Sequence, residues 1–595
     1  MGEFAVRWVG PWVRQVSPAT LRADLLAGIL GALLVLPQGI AFASLAGLPA
    51  EYGLYTAIVP CVVAALLGSS WHVVSGPTNA ISLALFATLS PLALAGSPRY
   101  IELALAVTVL VGVMQWLIGI LRLGTIANFI SPSTLRGFTS GAAALIALHA
   151  LTGLAGLSAA PSPGIASLLG HLGQHWQDAV PAAVLVGLAT LAAALLVRRF
   201  RPRWPAMLMA LVLACGFAFG LNHADLGARW GQVALTGTLT DIWPRFHVPA
   251  VDPLVIPDLI GIALALTIVA LGQAIAIAKS LAERTGQAID ANREFTGQGL
   301  ANIAGGFFSS YVACGSLNRS LPNLEAGART PLAAVFASAW LLALLAVSAP
   351  LLALVPLPGV AGLLILVAWQ LFDWPSWRRL WRLSREDFFI ALATLAATVT
   401  IRLELAILLG TLLSLVAFVY RTSKPSMRVM GFNSVTAERP FVVRAQAPHP
   451  LPECPQLKLI RMEGEVYFGA VAHVGDQLRE LRAAPEGAKH LLVMVKSMNF
   501  IDLAAAELWR NELLARRQAG GDLYFHRPRP PVLELWQRTG FIAELGEDHI
   551  FATKRAAIAT IFDRLDRSVC ARCTVRLFEE CSRLPAPVFL DSSED

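Results

Sequence analysis

Between residues 1 and 420 the chain contains a single lysine, Lys279, and consists largely of apolar runs. That pattern leaves few folding solutions. In hydrocarbon every backbone N–H and C=O must be satisfied within the protein, which favours helices. A helix needs about 20 mostly apolar residues to cross the ~30 Å hydrocarbon core. Clear candidates run over 23–46, 51–68, 101–121, 137–157, 179–197, 205–221, 254–278, 330–350, 386–401 and 404–420. Weaker ones, interrupted by Gly, Pro or polar residues, lie at 73–95, 295–312, 315–326 and 357–372. The expectation is a polytopic α-helical membrane protein with fourteen spans. Only 14% of all residues are charged, against about 25% in soluble domains, which excludes a soluble enzyme and a disordered chain. From about Lys424 the sequence turns to mixed charged and apolar segments, so a soluble tail follows.

Arginine placement orients the spans. Arg7, Arg14 and Arg22 precede the first span, which continues without a cleavage site. Further clusters are Arg198, Arg199, Arg201 and Arg203; Lys279, Arg284 and Arg293; Arg378, Arg379, Arg382 and Arg385; and Arg421 with Lys424. Counted from a cytoplasmic N-terminus, all of them fall on the cytoplasmic side, while the connection 158–176 on the other side has no Lys or Arg. Both termini and the tail are therefore expected in the cytoplasm, in a cell membrane. The net charge of +7 is topological and predicts no nucleic-acid partner.

Two irregular spans carry the functional signal. Ser75 to Leu85 reads SGPTNAISLAL and Cys314 to Leu324 reads CGSLNRSLPNL. Each has Gly followed three residues later by Asn (Gly76 and Asn79, Gly315 and Asn318) and continues as a short helix. They are the third and tenth predicted spans, corresponding positions if the chain is two sevens, and an odd repeat must insert upside down. Paired broken helices in an inverted repeat place a transport site near the bilayer midplane. A half-helix starting there presents unpartnered N–H groups and a positive dipole end, which attract an anion. Arg319 adds a full charge, and an intramembrane arginine is costly enough to suggest a function. The competing reading pairs Arg319 with Glu325 or backbone carbonyls as a structural tie.

PQGIAFASLAGLP (Pro37 to Pro49), EYGLY (Glu51 to Tyr55), GSSWHVVSGPTNAISL (Gly68 to Leu83) and GSLNRSLPNLEAGARTPLAA (Gly315 to Ala334) resemble motifs of the SulP sulfate-permease and anion-exchanger family. The resemblance covers nearly the whole chain. It implies a seven-plus-seven inverted repeat divided into core and gate domains, a homodimer, and transport by movement of the core against the gate. It further implies a substrate site made by Gln38 and Phe42, by Thr78 and Asn79, by Gln273, and by Leu317, Asn318 and Arg319. Where many relatives carry an acidic residue in the eighth span, this chain has Gln273, and Gln38 is likewise uncharged. Sodium symport through that position is therefore not expected. His72 and Glu51 are expected at helix ends in contact with water.

In the tail, 457–463, 490–497 and 522–526 read as strands, with helices near 470–482, 501–517 and 531–539. This small α/β layer resembles the STAS domain that SulP proteins carry. Asp502 is followed by Leu503 rather than by a phosphorylatable serine, which points to a dimerisation or regulatory module. The expected domains are 1–425 for transport, 440–568 for the STAS domain and 569–595 for a Cys-containing extension. Cys61, Cys215 and Cys314 read as packing residues. Cys570-x2-Cys573-x7-Cys581 has metal-ligand spacing but supplies three local ligands, with Cys454 as the available fourth, so metal binding and apolar packing both stay open.

The resulting expectation is a secondary transporter of inorganic anions, sulfate first, with bicarbonate or a dicarboxylate as alternatives on the same fold and a passive channel as the competing mechanism. No catalytic triad or nucleotide loop is present in the sequence, so neither an enzyme nor a cofactor is expected.

Overall fold

The computed structural model describes residues 10–125, 131–157, 165–201, 204–223, 230–237, 243–401, 403–432, 441–447, 449–484 and 488–585. Arg7, Pro202, Arg203, the first part of the 158–176 connection and the end of the 569–595 extension lie outside them. The chain divides into two units, Met1–Ser414 and Leu415–Asp595.

In the first unit the helices are α1 (Pro18–Leu45), α2 (Ala50–Thr56), α3 (Val59–Leu67), α4 (Asn79–Leu89), α5 (Pro98–Ile120), α6 (Pro132–Leu154), α7 (Ile165–His175), α8 (Pro181–Phe200), α9 (Ala206–His223), α10 (Ile256–Thr285), α11 (Ala291–Phe307), α12 (Leu317–Glu325), α13 (Leu332–Leu352), α14 (Leu357–Leu371), α15 (Trp374–Leu383), α16 (Arg385–Thr400) and α17 (Leu403–Thr422), the last running into the second unit. Each of the fourteen predicted segments carries a helix. Among the described residues, nine helical stretches are long and apolar enough to cross a bilayer. Several spans open on proline, whose missing N–H is no loss in a first turn. Two stretches read from the sequence as connections contain short helices instead. One is α7; the other is α15, which carries Arg378, Arg379 and Arg382.

Helix packing displays the inverted repeat. If α1 corresponds to α10, α2–α3 to α11, α5 to α13, α6 to α14 and α8 to α16, each major contact between the halves should have a partner with the halves exchanged. It does. α1 packs on α13 and α5 on α10; α5 packs on α11 and α3 on α13; α6 packs on α16 and α8 on α14. The first two exchanges build a core around α4 and α12, and the third builds a gate. In the core, α5 and α11 approach through small residues: a Cβ on Gly299 would lie 2.4 Å from the Trp116 nitrogen, and one on Gly112 would lie 2.5 Å from that of Ile303.

The second unit holds a six-stranded sheet in the order β4-β3-β5-β6-β7-β8: β3 (Ser426–Phe432), β4 (Phe441–Val443), β5 (Leu457–Glu463), β6 (His490–Ser497), β7 (Leu523–His526) and β8 (Ile550–Phe551). Strands β5 to β8 are parallel, while β3 runs antiparallel to both its neighbours. Alternate residues feed opposite faces. Ile460, Val493 and Phe525 pack under α18 (Val471–Ala483), α19 (Leu503–Gln518) and α20 (Pro530–Arg538), with Trp509 and Trp536 fully buried. Leu459, Leu492 and Tyr524 pack on the other face, beneath α22 (Lys554–Arg564) and the segment that follows it; α21 (Phe541–Leu545) precedes β8, and α23 (Arg567–Arg572) opens the C-terminal segment. Asp502 caps α19, accepting from the Ala505 N–H at 3.0 Å.

Candidate anion site

The two broken spans meet as a miniature ribbon. β1 (Ser75–Gly76) pairs antiparallel with β2 (Cys314–Gly315), Ser75 opposite Gly315 and Gly76 opposite Cys314. α4 begins three residues after Gly76 and α12 two after Gly315, so both helices start from one ribbon and leave it in opposite directions. Paired strands lie about 4.8 Å apart, which fixes the two helix N-termini close together.

Extended backbone at this depth needs partners, and α11 supplies several of them, with Ser320 of α12 and Thr56 of α2 adding the rest. Gln298 Nε2 and Asn302 Nδ2 donate to the Ala313 carbonyl at 2.9 and 3.0 Å, and the Ala313 N–H donates to Asn302 Oδ1 at 2.8 Å. The Ser75 hydroxyl donates to Gln298 Oε1 at 2.9 Å, and Gln115 Oε1 accepts from Asn302 Nδ2 at 2.8 Å. The Val74 N–H donates to Ser320 Oγ at 2.8 Å and that of Tyr311 to Thr56 Oγ1 at 3.0 Å. These amides and hydroxyls were missed as site-supporting groups in the sequence. For Gln298 and Asn302 the signal was the very polarity that made 295–312 a weak span.

These helix starts are unusual among those that a Ser, Thr or Asp heads in this chain. Ser17, Ser97, Ser131, Asp290, Asp373 and Ser384 each cap a helix with the side chain. Thr78 and Ser316, residues of the same capping types, head α4 and α12 with no side-chain cap. Neither first turn is therefore closed by its cap side chain, although the Ala80 N–H bonds Asn79 Oδ1 and that of Arg319 the Ser316 carbonyl. Thr78 Oγ1 instead meets Cys314 Sγ at 3.3 Å, and that thiol donates to Gln273 Oε1 at 3.2 Å, linking α4, the ribbon and α10. Cys314, read from the sequence as a packing residue, thus joins the polar chain of the site; its place directly before Gly315 was the available signal.

Further polar atoms are buried without partners. Asn79 Oδ1 accepts from the Ala80 N–H at 2.8 Å, while its Nδ2 has no partner. Gln38 Nε2 faces Met207 Sδ of α9 at 4.0 Å, and its Oε1 has no partner. A half-turn of an amide exchanges its donor and acceptor, so Gln38 can offer either. Phe42, one turn further along α1, is buried at 2% exposure in the main apolar cluster. Gln273 is half-buried, whereas Leu317 and Asn318, at the start of α12, are exposed.

Arg319 crosses the ribbon. Its Nη2 donates to the Pro77 carbonyl at 2.9 Å, and its Nε and Nη1 are buried without a partner. The charge lies against Gly76, where an added Cβ would fall 2.4 Å from Nη1. Behind it is a small void of about 10 Å³ lined by residues that include Val35, Cys61, Asn323 and Leu341. The guanidinium is thus held under the ribbon by a backbone carbonyl, and Glu325 sits exposed at the far end of α12. His72, expected in contact with water, is buried, and its carbonyl accepts from Asn323 Nδ2 at 3.5 Å.

Comparison with known proteins agrees with this architecture. Residues 21–394 match the sulfate permease family and residues 450–557 the STAS domain. The chain is 27% identical to probable sulfate transporter 4.2 of Arabidopsis thaliana, covering 95% of this chain and 87% of that one. It is 28% identical to the putative sulfate transporter YvdB of Bacillus subtilis, covering 89% and 95%. Among solved structures, murine Slc26a9, an anion transporter in its inward-facing state, superposes with a TM-score of 0.82 at 19% identity, covering 93% of each chain. The transmembrane domain of the cyanobacterial bicarbonate transporter BicA gives 0.60 at 23% identity, covering 67% of this chain and 98% of that one. The chain belongs to the sulfate permease family, an anion-transporter fold with a C-terminal STAS domain.

Proposed function

We propose that the protein is a secondary transporter of inorganic oxyanions, sulfate foremost, that works by alternating access as the core moves against the gate. The observation that carries this reading is the pair of uncapped helix N-termini on one ribbon, with the unpartnered Asn79 Nδ2 and the Arg319 charge beside them. An anion placed there receives N–H donors and the positive ends of two dipoles. Gln38, Phe42, Thr78, Asn79, Gln273, Leu317 and Asn318 form the binding set. Arg319 acts through its field across the ribbon, since one of its donors is already engaged by Pro77. The names of the curated relatives favour sulfate over bicarbonate or a dicarboxylate. The N- and C-termini and the STAS domain lie in the cytoplasm, and the protein works as a homodimer. With Gln273 and Gln38 uncharged, no carboxylate is available in this set for a coupling sodium.

Uptake of radiolabelled sulfate into proteoliposomes tests the proposal. Saturable uptake, unchanged when sodium is replaced by choline and reduced at least about tenfold by Arg319→Ala, is expected; that loss corresponds to about 1.4 kcal/mol. Uptake of no anion from a panel including sulfate, bicarbonate and dicarboxylates would overturn it, and single-channel currents would replace the carrier with a pore.

A further inference from the structure

We infer that Cys454, Cys570, Cys573 and Cys581 form a structural zinc site that fastens the C-terminal segment onto the STAS domain. Four of the chain's seven cysteines, drawn from two stretches more than a hundred residues apart in sequence, line one small cavity of about 10 Å³ whose other walls include Leu577 and Phe578. The volume suits a single small ion. Cysteine often serves only as a small apolar filler, so the polar atoms around these thiols matter.

Gln456 ties the two stretches together. Its Nε2 donates to the Asp566 carbonyl at 2.9 Å and to Cys570 Sγ at 3.2 Å, while its Oε1 accepts from the Asp566 N–H at 2.9 Å. A donor held on the Cys570 sulfur orients it, which a purely apolar filler does not require. The spacing Cys570-x2-Cys573, across the end of α23, suits two ligands of a tetrahedral all-cysteine set; Cys581 comes from the next turn and Cys454 from the loop before β5.

Among the described residues no group of three or more His, Cys, Asp or Glu side chains is already drawn together to hold a metal. The thiols must therefore rotate inward to reach zinc–sulfur distances of about 2.3 Å. All four side chains line one void, so rotation about χ1 is the movement that binding would call for. Binding would release the thiol protons to solvent. It would clamp residues 567–584, which hold only one short helix and a 3-10 turn, against the sheet face formed by Leu459, Leu492 and Tyr524.

Metal content of the full-length protein, purified in detergent under reducing conditions, tests the inference by elemental mass spectrometry. The expected result is about one zinc per chain, retained in Cys215→Ser and lost in the Cys570→Ser/Cys573→Ser double variant. Because that variant could misfold, the wild-type protein is also stripped with a chelator and probed by limited proteolysis. Cleavage within residues 567–584 should rise on stripping and fall again on adding Zn²⁺ but not Mg²⁺. Metal-free protein with four freely titrating thiols, a disulfide among these cysteines in a non-reducing peptide map, or stoichiometric iron in place of zinc would overturn it.

Discussion

Gly76 shows how closely the site depends on single atoms. Its φ of 150° belongs to a region that side chains rarely adopt, and the space a Cβ would fill is occupied by Arg319 Nη1. Gly76→Ala should displace the guanidinium and strain the ribbon at once. Sulfate uptake is expected to fall at least about tenfold, while the purified protein stays monodisperse on size-exclusion chromatography; unaltered uptake would show that the charge need not sit at that spot. The sequence made this residue visible, because Gly at the interruption of an apolar run has few other uses. It did not show that the arginine lies across the ribbon from its own helix. That placement depends on the pairing of Gly76 with Cys314, a contact between segments more than two hundred residues apart that no local pattern encodes.

At the level of elements, α11 does for the ribbon what water does for a surface loop. Asn302 both donates to and accepts from Ala313; the carbonyl also has Gln298, but the N–H would otherwise be unpaired deep in the protein. An unsatisfied buried group costs about 1–3 kcal/mol. Asn302→Leu is therefore expected to lower the apparent unfolding temperature in detergent by several degrees, as followed by tryptophan fluorescence, and to reduce transport through disorder of the ribbon. An unshifted transition would mean that Ala313 finds other partners. Helix positions were legible from hydropathy, and three strands of the tail fell where alternation placed them, at Leu457–Glu463, His490–Ser497 and Leu523–His526. The hairpin of β3 and β4 and the two-residue β8 were not, since such short or edge segments owe their pairing to the strand beside them rather than to a pattern of their own.

For the whole molecule, the two units invite separate tests. In the tail, burial and the nearby Lys554 and Arg527 charges hold His526 down to about 4, and burial also lowers His490. An unfolded chain binds a proton at each histidine near pH 6.5, which the folded tail refuses. The stability these neutral histidines contribute is thus fully present above about pH 6.5 and declines as the pH falls toward 4. Hydrogen exchange in β6 and β7 of the full-length protein, corrected for intrinsic rates, should show protection dropping between pH 7 and 5, with a smaller drop in His526→Asn. Equal drops would remove His526 as a cause. In the membrane unit the central claim is that an anion rests where α4 and α12 begin. Anomalous diffraction from crystals soaked in selenate, a heavier analogue of sulfate, locates it directly. A single selenium peak between the first turns starting at Asn79 and Leu317, absent when excess sulfate competes, is the expected result; a fully occupied peak elsewhere, with both first turns empty, would contradict it.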